Sequence, residues 1–275
     1  MLSMCDWLVP DWPAPARVKA LFTARSGGAS AAPFDSFNLG EHVRDDPAAV
    51  STNRKRLQEA LGVRPVFLNQ VHGTRVVSLD SATPDGTEAD ACIADRPGVA
   101  CTVMVADCLP VLFTNRAGTV VAAAHAGWRG LAGVGAEVAG EGVLETVFDA
   151  LVRAAQPAGH APDRTRSAAD TLVWLGPCIG PGAFEVGPEV REVFVEQCAD
   201  SAACFKPSRV PGKYLANLQA LARVRLRALG ITQISGNDGS PDWCTVTDAS
   251  RFFSHRRDAA RLGSTGRMAA CIHLA

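Results

Sequence analysis

The chain has 275 residues, 47% apolar and 20% charged, the composition of an ordinary folded protein with a sizeable core. Its 27 basic and 28 acidic residues leave no cationic surplus to drive counterion release, so nucleic acid is not expected as a partner. The 9 cysteines are scattered rather than paired at short spacing, which suits reduced thiols in a cytoplasm, and no secretory leader or run of the ~18 apolar residues that a membrane span needs is read.

Arg17 to Phe22 predicts an opening strand, followed by a glycine-rich loop at Arg25-Ser-Gly-Gly-Ala-Ser. Asp46 stands as an N-cap ahead of a helix from Pro47 to about Leu61, which Gly62 stops. Strands are expected over Val66 to Val71, Val99 to Val105, Val111 to Phe113 and Thr119 to Ala124, the last two joined by a turn at Asn115-Arg116-Ala117-Gly118. Helical spacing from Leu131 to Val152 predicts one long helix, with glycines opposing it. Ala155 to Ala169 reads as a polar surface loop with His160 in solvent. A strand at Thr171 to Leu175, helices at Pro188 to Cys198 and Leu215 to Leu229, and strands at Ile231 to Ile234 and Met268 to Leu274 complete the series. No repeat or linker is seen, so the expectation is a single α+β domain over residues 1–275, with mixed β-sheets flanked by helices. Neither GxGxxG nor GxxxxGK[ST] occurs, which argues against a Rossmann or P-loop nucleotide site.

Three segments carry candidate metal chemistry: Asn69-Gln-Val-His72-Gly73, Ala106-Asp-Cys108-Leu-Pro110 and Ala124-His125-Ala-Gly-Trp-Arg-Gly130. Each puts one potential ligand at the end of an apolar strand, where chains open into site-forming loops. Two imidazoles and a thiolate form a catalytic zinc set that leaves the fourth position free. The spacing is far wider than a CxxC pair; taken singly, Cys108 is more often a buried structural thiol than a ligand, and His72 or His125 is a core histidine about as often as a ligand.

NQVHG, ADCLPVLF, AAHAGWRG, LGPCIGPGAFEVG and FFSHRRD…TGRMA, in that order, resemble the signature segments of the YfiH-type purine nucleoside phosphorylase family, also called the laccase-domain or polyphenol-oxidase family. Thr23-Ala-Arg25-Ser-Gly-Gly28 and Ser36-Phe-Asn-Leu-Gly40 extend the resemblance upstream. It implies a zinc site at His72, Cys108 and His125, with copper possible. It also implies phosphorolysis of adenosine, inosine, guanosine and methylthioadenosine, with an adenosine deaminase side activity. Two further readings stay open: hydrolytic removal of L-serine from UDP-MurNAc-L-Ser in peptidoglycan editing, and copper-dependent phenol oxidation with Met104 as a weak ligand. A metal-free variant makes Cys108 a nucleophile paired with His125.

A nucleoside and phosphate as partners would require cationic and N–H donors. Arg129, Arg25, Arg256 and Arg257 are candidates, beside the readings of Arg129 covering Trp128 and of one solvated member in the Arg256–Arg257 pair. Gly180 in Gly176-Pro-Cys-Ile-Gly-Pro-Gly182 offers backbone N–H to an oxyanion or closes a tight turn. Phe184 would stack on a purine or pack in the core, Asn38 would face the pocket, and His42 would face the pocket or equally stand on the surface. Asp107 and Glu185 are candidate proton-transfer groups, while His255 and His273 read as supporting and structural.

Overall fold

The computed structural model describes residues 7–155 and 163–275. In chain order its regular elements are β1 (Val18–Phe22), α1 (Pro47–Leu61), β2 (Arg64–Phe67), β3 (Val76–Ser78), β4 (Ala91–Ala94), β5 (Val99–Val105), β6 (Leu109–Asn115), β7 (Val121–Ala126), α2 (Trp128–Ala132), α3 (Val143–Ala154), α4 (Arg164–Asp170) and β8 (Thr171–Leu175). There follow β9 (Glu185–Val186), α5 (Pro188–Gln197), β10 (Phe205–Pro207), β11 (Tyr214–Ala216), α6 (Leu218–Ala228), β12 (Gln233–Gly236), α7 (His255–Leu262) and β13 (Met268–Leu274).

Two mixed sheets organise these elements, one in the order β1-β13-β5-β2 and one in the order β12-β8-β6-β7-β4-β3, beside a small sheet β10-β11-β9. Alternation along the strands sets the layers. Val99, Cys101 and Val103 of β5 meet Leu112 of β6 and Val121 of β7 between the sheets, while Ala100 and Met104 turn to Leu57 and Leu61 of α1. On the far side, Val111 and Phe113 of β6 pack with Val147 and Leu151 of α3 and Leu221 of α6. Central strands are thus covered on both faces, which is why β5, β6 and β7 read as near-continuous apolar runs.

Local signals place α1 as expected: Asp46 accepts from the Ala48 N–H at 3.0 Å, and Gly62 ends the helix at φ 70°. The predicted long helix from Leu131 to Val152 is instead two helices. Gly133 turns left-handed at φ 70° and a Cβ there would stand 2.5 Å from the Glu141 carbonyl, so the chain doubles back before α3. The loop predicted to Ala169 gives way to α4 where the Asp163 carboxylate caps the Arg166 N–H, and His160 lies outside the described residues. Leu215 belongs to β11, opposite Glu185, because Asn217 caps α6 through the Ala220 N–H and starts that helix later than its apolar spacing suggested. The strand expected to Val71 stops at Phe67, freeing Asn69 to Gly73 as a loop. No helix among the described residues is long and apolar enough to cross a membrane.

Candidate metal centre

Three chain segments deliver one donor each to a single point: the loop after β2 carries His72, the β5–β6 connection carries Cys108, and β7 carries His125 near its end. Their donor atoms all lie within 4.8 Å of one another. Cys108 Sγ is 3.8 Å from His72 Nε2, and the two imidazoles meet edge to face with centroids 4.8 Å apart. His72 and its neighbour in the site, Asp107, have φ of 63° and 93°, values that cost non-glycine residues energy and cluster at functional positions.

Asp90, fully buried just ahead of β4, holds this geometry. Its carboxylate accepts the N–H groups of Val71 at 3.1 Å, His72 at 2.9 Å and Gly73 at 2.7 Å, so one side chain shapes the histidine loop. It also accepts from His125 Nδ1 at 2.8 Å, which fixes the tautomer and leaves Nε2 for the site. Desolvation opposes the buried charge, but these hydrogen bonds and His125 hold the carboxyl below its ordinary value. Gly127, following β7, completes the enclosure: a Cβ there would lie 2.9 Å from His72 Cδ2 and 3.0 Å from Cys108 Sγ.

Burial pushes the Cys108 thiol up, yet His125 and then His72 bring it down to about 6. Burial likewise lowers His125, while Cys108 and Asp90 together raise it to about 9. The protein has therefore prepared a thiolate, the form of cysteine that binds metal. Two imidazoles, a thiolate and a buried carboxylate behind one imidazole fit a zinc ion with an open coordination position.

The trio borders a cavity of ≈ 430 Å³. His42, Asp107, Phe184 and Arg256, all singled out from the sequence, also line it. Asp107 is already engaged: its carboxylate accepts from Thr245 Oγ1 at 2.6 Å and from the Arg256 N–H at 2.6 Å, seating the first turn of α7 beside Cys108. Arg256 donates to the Glu185 carbonyl at 3.0 Å and lies 5.7 Å from the Phe184 ring.

Six other candidates stand outside the lining. Arg25 is tied to Asp35 and the Ala249 carbonyl, and Arg257 to Asp258 and the carbonyls of Thr245 and Phe252. Arg129 lies 4.7 Å over the Trp128 ring, and it is Trp128 that faces the cavity. The Gly180 N–H is spent on Cys244 Sγ at 3.2 Å, and the Glu185 carboxylate faces Lys213 at 3.4 Å. Asn38 is fully buried, bonding Gly40, Asp45 and the Arg267 N–H.

Asp90, Gln70 and Arg267, in or behind the lining, carried no functional weight in the sequence, nor did the apolar lining residues Leu68, Trp128 and Ile179. For Asp90 a signal existed, since a carboxylate inside the apolar run Ala89 to Ile93 must find partners when buried. Gln70 spends both ends of its amide on the Met104 backbone, donating at 2.8 Å and accepting at 2.8 Å, which moors the histidine loop to β5.

A family described as multi-copper polyphenol oxidoreductase laccase matches residues 19–275. The chain is 51% identical to a purine nucleoside phosphorylase of Pseudomonas aeruginosa, over 98% of this chain and 99% of that one. It is 46% identical to the purine nucleoside phosphorylase YfiH of Escherichia coli K12, over 98% and 100% of the two chains. A crystal structure of a Neisseria meningitidis protein superposes with a TM-score of 0.83 at 42% identity, covering 98% and 99%. Across nearly its whole length, the chain belongs to the YfiH-like family described as multi-copper polyphenol oxidoreductase laccase.

Proposed function

We propose that this protein is a zinc-dependent purine nucleoside phosphorylase of the cytoplasm that splits purine nucleosides with orthophosphate into base and pentose 1-phosphate, and also deaminates adenosine. The observation that carries the reading is the convergence of His72, Cys108 and His125 on the wall of a cavity of ≈ 430 Å³, within the ~300–1,000 Å³ range of small-molecule sites. The names of the relatives supply the substrate class. Zinc bound there would supply a Lewis acid at the cavity wall.

The chain's own residues divide the remaining work. Phe184 and Trp128 offer aromatic surface to a purine, with Leu68, Met104 and Ile179 continuing the apolar wall. Asp107 holds α7 so that Arg256 faces the cavity. The eight described cysteines are all free, in keeping with a reducing compartment. Among the described residues one His–Cys–His group is brought together, a place for one ion, which supports single-metal chemistry over multi-copper phenol oxidation.

The test is chromatographic assay of the zinc-loaded protein with adenosine, with and without phosphate, beside Cys108→Ala. Adenine released only with phosphate, and lost in the variant, supports phosphorolysis; inosine formed without phosphate supports the deaminase. No turnover under either condition defeats both and redirects the search to a muramoyl amide.

A further inference from the structure

The cavity holds a cation that makes no ion pair among the described residues. Arg267, just ahead of β13, lines it beside His42, and its Nη1 donates only to the Thr265 carbonyl at 3.0 Å and the Gly266 carbonyl at 3.2 Å. Among the described residues it makes no other side-chain hydrogen bond and no ion pair. The acids around it are otherwise occupied. Glu41 pairs with Arg54 at 2.9 Å, Asp45 accepts from Asn38 at 2.9 Å, and Asp107 is committed to Thr245 and the Arg256 N–H. Burial lowers the Arg267 guanidinium, and Cys108 and Asp107 partly restore it, which places it in the electrostatic reach of the metal-ligand trio.

Its position is built rather than incidental. Asn38 Oδ1 accepts the Arg267 N–H at 2.8 Å, and the Arg267 carbonyl accepts from the Leu39 N–H at 3.1 Å. Gly40 lets the backbone pass the side-chain stem, since a Cβ there would stand 2.8 Å from Arg267 Cγ and 3.3 Å from His42 Cε1. The same contacts put the His42 ring next to the arginine stem. That ring makes no hydrogen bond among the described residues and loses proton affinity first through burial, then through Arg267 and Arg54. A planar guanidinium with open N–H groups, next to a neutral imidazole that can donate one more, is a recognition surface for a tetrahedral oxyanion.

Resting on the phosphorylase reading, we infer that Arg267 and His42 form the subsite that takes orthophosphate, with Asn38 and Gly40 positioning Arg267 from behind. The nucleoside then occupies the apolar part of the cavity, toward Phe184 and Trp128, and the phosphate the cationic part.

Calorimetric titration of the zinc-loaded protein with inorganic phosphate alone, for wild type, Arg267→Gln and Arg267→Lys, tests this without turnover. We expect phosphate affinity to fall at least about tenfold in Arg267→Gln and to recover in part in Arg267→Lys. Zinc content and the KM for inosine should stay within about twofold of wild type, as expected when only the phosphate contact is removed. The lysine variant keeps the charge should the glutamine variant fail to fold. Wild-type phosphate affinity in a folded Arg267→Gln, or no phosphate uptake by the wild type, overturns the subsite. Arg267-dependent phosphate binding in a protein that releases no purine base would instead defeat the phosphorylase reading and leave the subsite standing.

Discussion

Asp90 accepts the Nδ1 proton of His125 at 2.8 Å while binding the N–H groups of Val71, His72 and Gly73, so one buried carboxylate aligns two of the three candidate ligands. Removing its charge should act on the metal before it acts on the fold. Asp90→Asn is expected to weaken zinc binding roughly 10–100-fold, as loss of a carboxylate behind a ligating histidine does, measured by chelator competition. Breaking the buried pair should also lower stability, by roughly 3 kcal/mol in denaturant unfolding. Unchanged zinc affinity would contradict the role assigned to Asp90.

The Cys108 and His125 pair gives the metal-free protein a signature with pH. Cys108, at about 6 against an ordinary 9.0, contributes stability that is fully present above 9.0 and lost as pH falls through about 6. His125, at about 9 against 6.5, contributes stability that is fully present below 6.5 and lost as pH rises through about 9. Between about 6.5 and about 9 the rising Cys108 contribution offsets the falling His125 one, so this pair should leave the unfolding stability of the metal-free protein nearly constant with pH there. Iodoacetamide should alkylate Cys108 with a midpoint near 6, moving upward in His125→Gln. A midpoint near the ordinary thiol value in the wild type would contradict the pairing.

Gly127→Ala probes close approach at the same centre. Its Cβ would crowd His72 Cδ2 at 2.9 Å and Cys108 Sγ at 3.0 Å, spreading the ligands. Overpacking of this kind costs roughly 1–3 kcal/mol, and zinc content by elemental analysis should fall even where the protein folds.

Asp46→Ala is the matching control at the α1 N-cap, which lies outside the cavity lining. It should cost about 1 kcal/mol of stability in thermal unfolding and leave zinc content and turnover unchanged.

What the sequence made legible was local or strongly periodic. The cap at Asp46 and Pro47, the stop at Gly62 and the strand Val99–Val105 depend on adjacent residues and on burial of both faces. The helix expected from Leu131 to Val152 failed because its apolar spacing continues through a backbone reversal at Gly133, a tertiary contact with Glu141 that no periodicity encodes. In the site, the ligand trio stood out as one donor at each of three strand ends. Arg25, Arg257 and Gly180 resembled anion binders by residue type, but Asp35, Asp258 and Cys244 engage them first. Asp90 and Arg267 depend on which segments meet in space, and their partners lie up to 35 positions away for His125 and 229 for Asn38.

The candidate metal centre is tested most directly by titration of the metal-free protein with cobalt, followed by absorption spectroscopy on wild type and Cys108→Ala. A centre built on these three residues gives a thiolate-to-cobalt charge-transfer band with tetrahedral d–d transitions, saturating at one equivalent in the wild type, with the charge-transfer band absent from the variant. A wild type without that band, or a Cys108→Ala variant that retains it, would contradict a metal centre built on His72, Cys108 and His125.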